Sequence, residues 1–511
     1  HGNALQTDWQ SLIVALPWEK EEPRFHYIFG NPPFSGKSLQ NAEQKKDMDL
    51  IFAGVSGAGV LDYVSAWYIK AAQYMQRNQT YKVSKNLIGL AKTETRCAFV
   101  STNSISQGEQ VSILWNELFN KYKIKIHFAH RTFKWGNEAK SNAAVHVVII
   151  GFANFNVTEK RIFEYENIKA EPHELKVKNI NPYLVEGKDS VLPSRKKPLN
   201  NVPEMLYGNK LVDGGFYLFT DEQKELFIKN EAKSEKYFKR ILSGEEFING
   251  KSRWILYLKD ATPEELKTMP KVLERISQVK KYREESTKKQ TQQTALTPTL
   301  FAEPRQPNSN FLLIPRTSSE NRKYIPLGFF TKEFIVNDSC IALPNATNYH
   351  FGMMSSAMHI TWVKYVCGRL KSDFRYSNTL VYNNFPWPEN PNEKQIKAVE
   401  QAAQNVLEVR AKFQNPSNIK NSSSQQSSTF PPPLGRIGGA SLADLYDPNT
   451  MPPELVKAHQ ALDKAVDLCY RPQPFINETK RIEFLFELYD KYTAGLFVGE
   501  KKTKTKKIDA E

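Results

Sequence analysis

The sequence lacks the marks of a membrane protein, a disulfide-linked secreted protein and a zinc protein. None of its apolar runs approaches the roughly 18 residues that a membrane helix needs. Its four cysteines, Cys97, Cys340, Cys367 and Cys469, lie far apart, without a CxxC pair and without clustered histidines. This spacing argues against a disulfide framework and against a metal site. A protein of the reducing cytoplasm, with no membrane partner, fits these absences best.

The chain also has no initiator methionine and no targeting segment, because it opens on "HGNALQTDW". We therefore expect a fragment or a processed chain. What the chain has in excess is positive charge, since 70 Lys and Arg against 55 Asp and Glu give a net charge of +15. This balance favours a polyanionic partner such as nucleic acid, although part of the excess lies in segments that could simply be solvated.

Hydrophobic patterning divides the 511 residues into three regions. Residues 1–155 alternate apolar strands with helical segments, which predicts a parallel α/β sheet. Residues 156–388 contain short strands, turns and charged helices, and the polar stretch 286–310 within them is expected to be an exposed loop. Residues 389–511 have helical periodicity, with a disordered Ser/Gln/Pro/Gly linker near 415–440.

The stretch "FHYIFGNPPFSGK" ends a hydrophobic strand, which we expect to be buried, with an unusual turn. Pro32 and Pro33 fix two φ angles and remove two donors, so the turn is stiff and its carbonyls can point outward. Asn31 adds a side-chain carbonyl at the carboxyl end of a strand, the edge at which open α/β sheets bind ligands. Two adjacent acceptors suit a substrate NH2 group, and Phe34 offers a flat face for a planar ring.

This turn predicts methyl transfer to an aromatic or amide nitrogen. The lone pair of such a nitrogen is delocalised and reacts poorly. If Asn31 Oδ1 and the Pro32 carbonyl accept both N–H hydrogens, the nitrogen moves towards a tetrahedral and more reactive geometry. The alternative is that an N-P-P-aromatic string is only a turn. Its position directly after a strand and Gly30 favours the functional interpretation.

The motif "NPPF" resembles the catalytic motif of N6-adenine DNA methyltransferases, which use S-adenosylmethionine. The resemblance to one group, the MmeI-like type II (IIG/IIL) restriction-modification enzymes, covers almost the whole chain. It rests on eight blocks: "GNALQTDW", "GNPPFSGK", "GAGVLDYVSAWYIKAA", "CAFVSTNSISQGEQV", "HFAHRTFKWGNEA", "CGRLKSDFRYS", "VYNNFPWP" and "SLADLYDPNTMPPELVKAHQALDKAVD".

This resemblance implies a partial Rossmann-like methyltransferase domain over 1–155 and an α+β target recognition domain over 156–388, followed by a helical C-terminal segment over 389–511. It also implies that this chain begins inside the methyltransferase domain, so that the nuclease, the helical spacer and the glycine-rich cofactor loop of such enzymes are missing from it. The implied activity is methylation of a flipped adenine at a specific site in double-stranded DNA, with S-adenosylmethionine as cofactor.

Roles follow from the resemblance residue by residue. Asn31, Pro32, Pro33 and Phe34 match the catalytic motif, and Phe34 would stack on the target base. Asn3 in "GNAL" stands where such enzymes contact the adenine of the cofactor, with a simple turn asparagine as an equal alternative.

A flipped base also needs a second aromatic wall, for which Phe133 and Trp135 are the candidates. The alternative for each is that it packs under the neighbouring loop. The segment "GAGVLDY" lacks the GxxxxGK[ST] pattern of a phosphate loop, so we interpret it as a loop that leads into a helix near the substrate pocket.

The segment "GRLKSDFRYS" is the candidate base-reading edge. Its charged residues Arg369, Lys371, Asp373 and Arg375 would share one side of an extended strand. Lys or Arg can donate to guanine, and Asp can accept from cytosine. In the resembling family the positions of Lys371 and Asp373 are associated with one base pair of the site, which implies a G·C pair here. The alternative is an exposed strand of balanced charge.

Arg316, Arg322 and Lys323 are predicted to hold DNA phosphates, which position a protein without specifying sequence. Two other functions remain open. Protein-glutamine N5 methyltransferases also present an NPP-aromatic turn to an amide nitrogen, but they lack a large basic recognition region. The chain could also be an inactive fragment that only binds DNA.

Overall fold

The computed structural model describes residues 2–13, 24–76, 94–135, 145–165, 170–414 and 439–494. These residues form two compact units. The first unit comprises His1–Arg195, Tyr365–Ser372 and Thr479–Glu511, and the second unit comprises Lys196–Lys364 and Asp373–Glu478. The linker predicted near 415–440 falls on residues 415–438, which lie outside the described residues.

A six-stranded mixed sheet lies at the centre of the first unit. Its strands are β1 (Tyr27–Gly30), β2 (Arg96–Thr102), β3 (Lys125–Trp135), β4 (Val145–Ala153), β5 (Lys160–Tyr165) and β6 (Pro172–Val177). Their order is β1-β2-β4-β3-β5-β6, in which the β1–β2 and β3–β5 pairs are parallel and the other three pairs are antiparallel. The expected parallel sheet is therefore only partly present. Residues 136–144 are too few for a parallel crossover between β3 and β4, so these strands pair antiparallel.

The helices of the first unit are α1 (Ala42–Ile51), α2 (Ser65–Gln76), α3 (Gln110–Asn116) and α14 (Glu478–Thr493), and a π-helical turn, Glu117–Lys121, continues α3. Short 3-10 turns occur at Trp9–Leu12, Lys37–Leu39, Ala58–Val60 and Asn103–Ile105. The fully buried Tyr68 of α2 stacks on Phe152 of β4 with ring centroids 5.0 Å apart, and its hydroxyl lies 2.8 Å from Ser101 Oγ on β2. These contacts pack α2 onto the centre of the sheet.

The strand β1 differs from the expected buried strand. Among the described residues it pairs with β2 alone, and Tyr27 and Phe29 are 66% and 82% exposed. Both side chains point to the same side because they are two residues apart on a strand. The expectation of burial is wrong for the described residues, in which one side of β1 has no neighbouring strand.

The strands of the second unit are short: β7 (Leu206–Tyr207), β8 (Leu218–Phe219), β9 (Phe238–Leu242), β10 (Trp254–Leu256), β11 (Phe311–Pro315), β12 (Thr317–Ser318), β13 (Gly328–Phe330), β14 (Ile335–Val336), β15 (Cys340–Pro344) and β17 (Asp373–Arg375). Eight of them form two four-stranded sheets, in the orders β14-β9-β10-β8 and β13-β11-β15-β7. β12 pairs antiparallel with β17. Strand β16 (Gly368–Leu370), which precedes β17 in the sequence, belongs to the first unit.

The helices of the second unit are α4 (Asp221–Asn230), α5 (Gly244–Asn249), α6 (Pro263–Lys267), α7 (Pro270–Glu284), α8 (Lys289–Gln293), α9 (Asn348–Met354), α10 (Ala357–Val366), α11 (Glu393–Gln414), α12 (Leu442–Leu445) and α13 (Pro453–Tyr470). The last two residues of α10 lie in the first unit. The helices predicted near the carboxyl end are confirmed as α11, α13 and α14. α11 and α13 pack on each other through buried aliphatic residues such as Val406 and Leu462.

The polar stretch 286–310 is not an exposed loop throughout. It contains α8 and a 3-10 turn, Thr294–Leu296, and both Ala295 and Phe301 are buried. The expectation is wrong because the stretch is organised by a residue outside it. The fully buried guanidinium of Arg283, on α7, donates to backbone carbonyls of this stretch.

Candidate active site

The NPPF motif leaves the carboxyl end of β1 as an extended turn. Asn31 and Pro33 are exposed, Pro32 is buried and Phe34 is half-buried. Among the residues that the structure describes, none hydrogen-bonds with Asn31 Oδ1 or the Pro32 carbonyl, whereas the Pro33 carbonyl accepts from the Ser35 amide at 3.2 Å. The two acceptors that the motif predicts are therefore not used by any described residue, and the side chain that carries Asn31 Oδ1 is exposed.

The NPPF loop, defined here as residues 31–40, is held by the segment that precedes α2. The Ser35 carbonyl accepts from the Tyr63 amide at 2.9 Å, and Gln40 Nε2 donates to the Leu61 carbonyl at 3.0 Å. The Lys37 amide donates to Asp62 Oδ1 at 3.3 Å. The "GAGVLDY" segment therefore supports the candidate catalytic turn through its last three residues.

A buried carboxylate joins the amino-terminal turn to this support. Asp47 on α1 is 3% exposed and accepts hydrogen bonds from Tyr63 Oη at 2.6 Å, Asn3 Nδ2 at 2.7 Å and Gln6 Nε2 at 2.9 Å. Burial by itself would raise the pKa of Asp47, but the three hydrogen bonds outweigh burial and hold that pKa below its usual value. Burial and the contact with Asp47 raise the pKa of Tyr63.

Asn3 is fully engaged in this network. Its Oδ1 accepts from the Leu5 amide at 3.0 Å, while its Nδ2 binds Asp47. The side chain thus makes the contacts of a turn asparagine, the alternative to direct cofactor contact. Asn3 itself is exposed, so the surface of the turn remains accessible.

We expect the free energy of unfolding of Asp47→Asn to fall less between neutral and acidic pH than that of the wild type. The pKa of Asp47 is lower in the folded protein than in the unfolded chain, where it is about 4. The stability that ionised Asp47 contributes is therefore present above the unfolded pKa and is lost as the pH falls through the lower folded pKa. Denaturant unfolding at pH 7 and near pH 3 measures the difference between the two free energies. Asp49→Asn, an exposed position on the same helix, is the control. An equal acid effect in wild type and Asp47→Asn would contradict the expectation.

The candidate second wall lies on the β3–β5 pair. Phe133 is half-buried and stacks on Tyr165 with ring centroids 5.1 Å apart. Tyr165 Oη lies 2.8 Å from His130 Nδ1, and the His130 ring stacks on Phe163 at 4.2 Å. The rings on β5 were not identified from the sequence, although the alternation in "RIFEY" is typical of a strand and was the available signal. Trp135 ends β3, and its side chain lies outside the described part of the chain.

The charged residues of "GRLKSDFRYS" do not lie on one extended strand, so that expectation is wrong. β16 ends at Leu370 and β17 begins at Asp373, and between them Lys371 has a left-handed φ of 58° that interrupts the extended conformation. Arg369 Nη1 donates to the Ser372 carbonyl at 2.9 Å and closes the turn. Lys371 and Arg375 are exposed and Asp373 is half-buried.

Three family models match this chain: the MmeI DNA-methyltransferase domain over residues 1–164, the MmeI target recognition domain over 186–389 and the MmeI C-terminal domain over 435–497. The chain belongs to the MmeI family. The matches follow one another in the same order as the three regions predicted from hydrophobic patterning.

Two relatives in the MmeI family show how much of the chain is shared. DNA methyltransferase A of Bacillus subtilis (strain 168) is 39% identical over 492 residues, which are 96% of this chain and 50% of that protein. The Type IIL restriction-modification enzyme MmeI, solved in complex with DNA, is 48% identical with a TM-score of 0.79, over 96% of this chain and 60% of that one. The chain therefore spans about half the length of the curated relative that it matches.

The candidate phosphate-binding residues of this MmeI-family chain differ in their surroundings. Arg316 is half-buried, donates to the Asp338 carbonyl at 2.9 Å and lies 4.7 Å from the ring centroid of Tyr207. Burial lowers the pKa of Arg322, while the charges of Asp373 and Asp447 oppose that shift. Lys323 is exposed. Arg316 thus stabilises its own unit, and Lys323 is the most accessible of the three candidates.

The described residues do not meet the requirements of a metal site, a disulfide or a membrane helix. They contain no group of three His, Cys, Asp or Glu side chains that could hold a metal ion. Cys97, Cys340, Cys367 and Cys469 are buried and form no disulfide with one another. None of the described helices combines the length and apolar character needed to cross a bilayer.

Proposed function

We propose that this chain transfers a methyl group from S-adenosylmethionine to the N6 amine of an adenine at a specific site in double-stranded DNA, as part of a restriction-modification system. The observation that carries the proposal is a pair of acceptors that no described residue uses, Asn31 Oδ1 and the Pro32 carbonyl, on a turn at the carboxyl end of β1. Membership of the MmeI family supports DNA as the source of the NH2 group.

The residues of the NPPF loop would act by positioning. Both acceptors would bind the two N–H hydrogens of adenine N6 and stabilise the positive charge that develops on nitrogen during transfer. Phe34 would stack on the ring of the adenine, which must be flipped out of the duplex at a cost of about a few kcal/mol. Phe133 and Trp135 are the proposed second wall.

The cofactor would supply the electrophilic methyl group. The residues present fit part of its site, because the exposed turn that begins at Asn3 is fixed to α1 by the network around Asp47. In this proposal the turn contacts the adenine of the cofactor, and the Asp47 network keeps the turn in a constant position relative to the NPPF loop.

Sequence reading would fall to the region 156–388, with the transfer machinery in 1–155 and helical support in 389–511. We assign one base pair, G·C, to Lys371 and Asp373, with Arg369 and Arg375 as further candidates for contacts with DNA. Arg322 and Lys323 would contact phosphates. Arg316 would support them indirectly, because its guanidinium is used inside the second unit.

Methyl transfer from labelled S-adenosylmethionine to a library of duplex oligonucleotides tests the proposal. We expect label in DNA, recovered as N6-methyladenine after digestion to nucleosides. A glutamine-containing peptide in a parallel reaction should remain unlabelled. Label on protein but not on DNA would favour a glutamine methyltransferase, and sequence-specific DNA binding without label would favour a non-catalytic binding protein. Either result would contradict the proposal.

A further inference from the structure

One loop of the first unit is joined through both of its ends to Asp62, a residue that supports the NPPF loop. This bridging loop, residues 103–110, follows β2 and leads into α3. Its Ser104 Oγ donates to Asp62 Oδ2 at 2.5 Å, and its Gln110 Oε1 accepts from the Asp62 amide at 2.8 Å. Asp62 Oδ1 in turn accepts from the amide of Lys37, in the NPPF loop. The bridging loop and the NPPF loop are therefore fixed to the same residue.

The middle of the bridging loop contacts the segment that carries Lys371. The Gly108 amide donates to the Val366 carbonyl at 3.1 Å. A Cβ atom added to Gly108 would lie 3.0 Å from the Cα of Gly368, which is tighter than ordinary side-chain packing allows. Gly108 also has a φ of 77°, a left-handed conformation that glycine adopts without strain. Two backbones therefore touch directly, and only glycine at position 108 permits this approach.

Gly368 is the first residue of the turn that carries Lys371, and a hydrogen bond spans this turn. We define the recognition turn as residues 368–372. The hydrogen bond from Arg369 to the Ser372 carbonyl closes it, and the guanidinium of Arg131 on β3 lies 5.3 Å from the ring centroid of Tyr365, just before it. Because these residues all belong to the first unit, the recognition turn is mounted on the same body as the NPPF loop.

We propose that the bridging loop is a positioning device that sets the distance between the base presented to the NPPF loop and the base contacted by Lys371 of the recognition turn. Asp62 and Gly108 are its positioning residues. The inference rests on the proposed function. It adds that the first unit, which carries the NPPF loop, also controls how well Lys371 discriminates between bases. Hydrogen bonds to base edges are directional, so a displacement of the turn by a few tenths of an ångström weakens the choice between bases.

Gly108→Ala tests the proposal, with Gly54→Ala as the matched control. Both glycines have a left-handed φ, 77° and 81°, but a Cβ at Gly54 would meet nothing within 4 Å. The two variants therefore share the conformational cost and differ in the contact with the recognition turn. The measurement is methylation of a randomised duplex library, read by sequencing, together with thermal unfolding of each variant.

In Gly108→Ala we expect the preference for the correct base over other bases to fall at least about 5-fold at one position of the methylated site. One base contact commonly gives a preference of about 5-fold to 150-fold. The affected position should be the one whose preferred base changes when Lys371 and Asp373 are exchanged. Gly54→Ala should retain the wild-type preference at every position. Unchanged discrimination in Gly108→Ala, with a loss of thermal stability equal to that of Gly54→Ala, would overturn the proposal.

Asp62 gives a second and independent test. Asp62→Ala should lower kcat by about 100-fold with little change in the KM for DNA, because misplacement of about 1 Å can cost that much. Asp62→Asn retains an acceptor for the Lys37 amide and a partner for Ser104, so it should restore most of the rate. Equal inactivation by both variants would indicate that the charge of Asp62 is required, which overturns a positioning role. Wild-type protein that labels no DNA would instead refute the proposed function, and this inference with it.

Discussion

Asn31→Ala is expected to lower the rate of methyl transfer by about 100-fold to 1,000-fold, the range found when one preorganised hydrogen-bonding group is removed from a site of developing charge. The substitution removes Oδ1, one of the two acceptors that no described residue uses, and leaves the Pro32 carbonyl in place. An NH2 group held by a single acceptor keeps its lone pair delocalised. Single-turnover transfer of labelled methyl groups measures the loss, and DNA affinity at constant salt should remain nearly unchanged.

The matched control for this prediction is Asn41→Ala, ten residues further along the chain. Asn41 caps α1 by accepting from the Gln44 amide at 2.8 Å, so its loss should cost about 1 kcal/mol of stability. Its methylation rate should stay close to that of the wild type. A near-normal rate in Asn31→Ala would show that the two-acceptor mechanism is wrong, whatever the effect on stability.

Local chemistry explains how much of the site could be predicted from the sequence. Two prolines and an asparagine act through their own backbone and side-chain atoms, so the stiff turn with outward acceptors followed from residues 31–34 alone. Strong periodicity likewise identified β2, α11, α13 and α14, because each buries one face against the rest of its unit.

The residues that hold the site were not predicted, because their contacts are distant in the sequence. Asp47 binds Asn3 across 44 positions, and Asp62 binds Gln110 across 48. A single sequence does not show that an aspartate on a polar helix will be buried or which amide it will meet. The approach of Gly108 to the recognition turn spans more than 250 residues, and a lone glycine in a polar loop gives no signal of it.

The recognition turn shows a different limit. Alternating charges in "GRLKSDFRYS" predict one strand, since residues two apart then share a side. The structure has a left-handed Lys371 at the point where the chain passes from the first unit to the second. Non-glycine residues adopt this conformation rarely and without a reliable sequence signal. The break in extended conformation at Lys371 is therefore a property of the fold that the alternating charges do not show.

Arg283→Met is expected to reduce the free energy of unfolding of the second unit by about 3–5 kcal/mol, because it leaves several carbonyl groups without a donor and a buried polar group without a partner costs about 1–3 kcal/mol. Arg283 is fully buried in α7, and its guanidinium makes five hydrogen bonds of 2.8–3.2 Å, all to backbone carbonyls. The acceptors are the carbonyls of Leu211, Val212, Thr294, Thr297 and Leu300. Burial lowers the pKa of Arg283, but all five donors of the fork are satisfied.

The substitution would leave these carbonyls without a donor, so the polar stretch 286–310 should lose its order first. Denaturant unfolding measures the stability, and amide hydrogen exchange should show faster exchange over residues 289–301. Arg283→Lys should be intermediate, because an ammonium group has three donors where the guanidinium has five. Lys281→Met, an exposed position on the same helix whose ion pair with Glu285 spans 3.9 Å, should change stability by less than about 0.5 kcal/mol. Full protection of residues 289–301 in Arg283→Met would mean that the stretch is held by contacts other than this guanidinium.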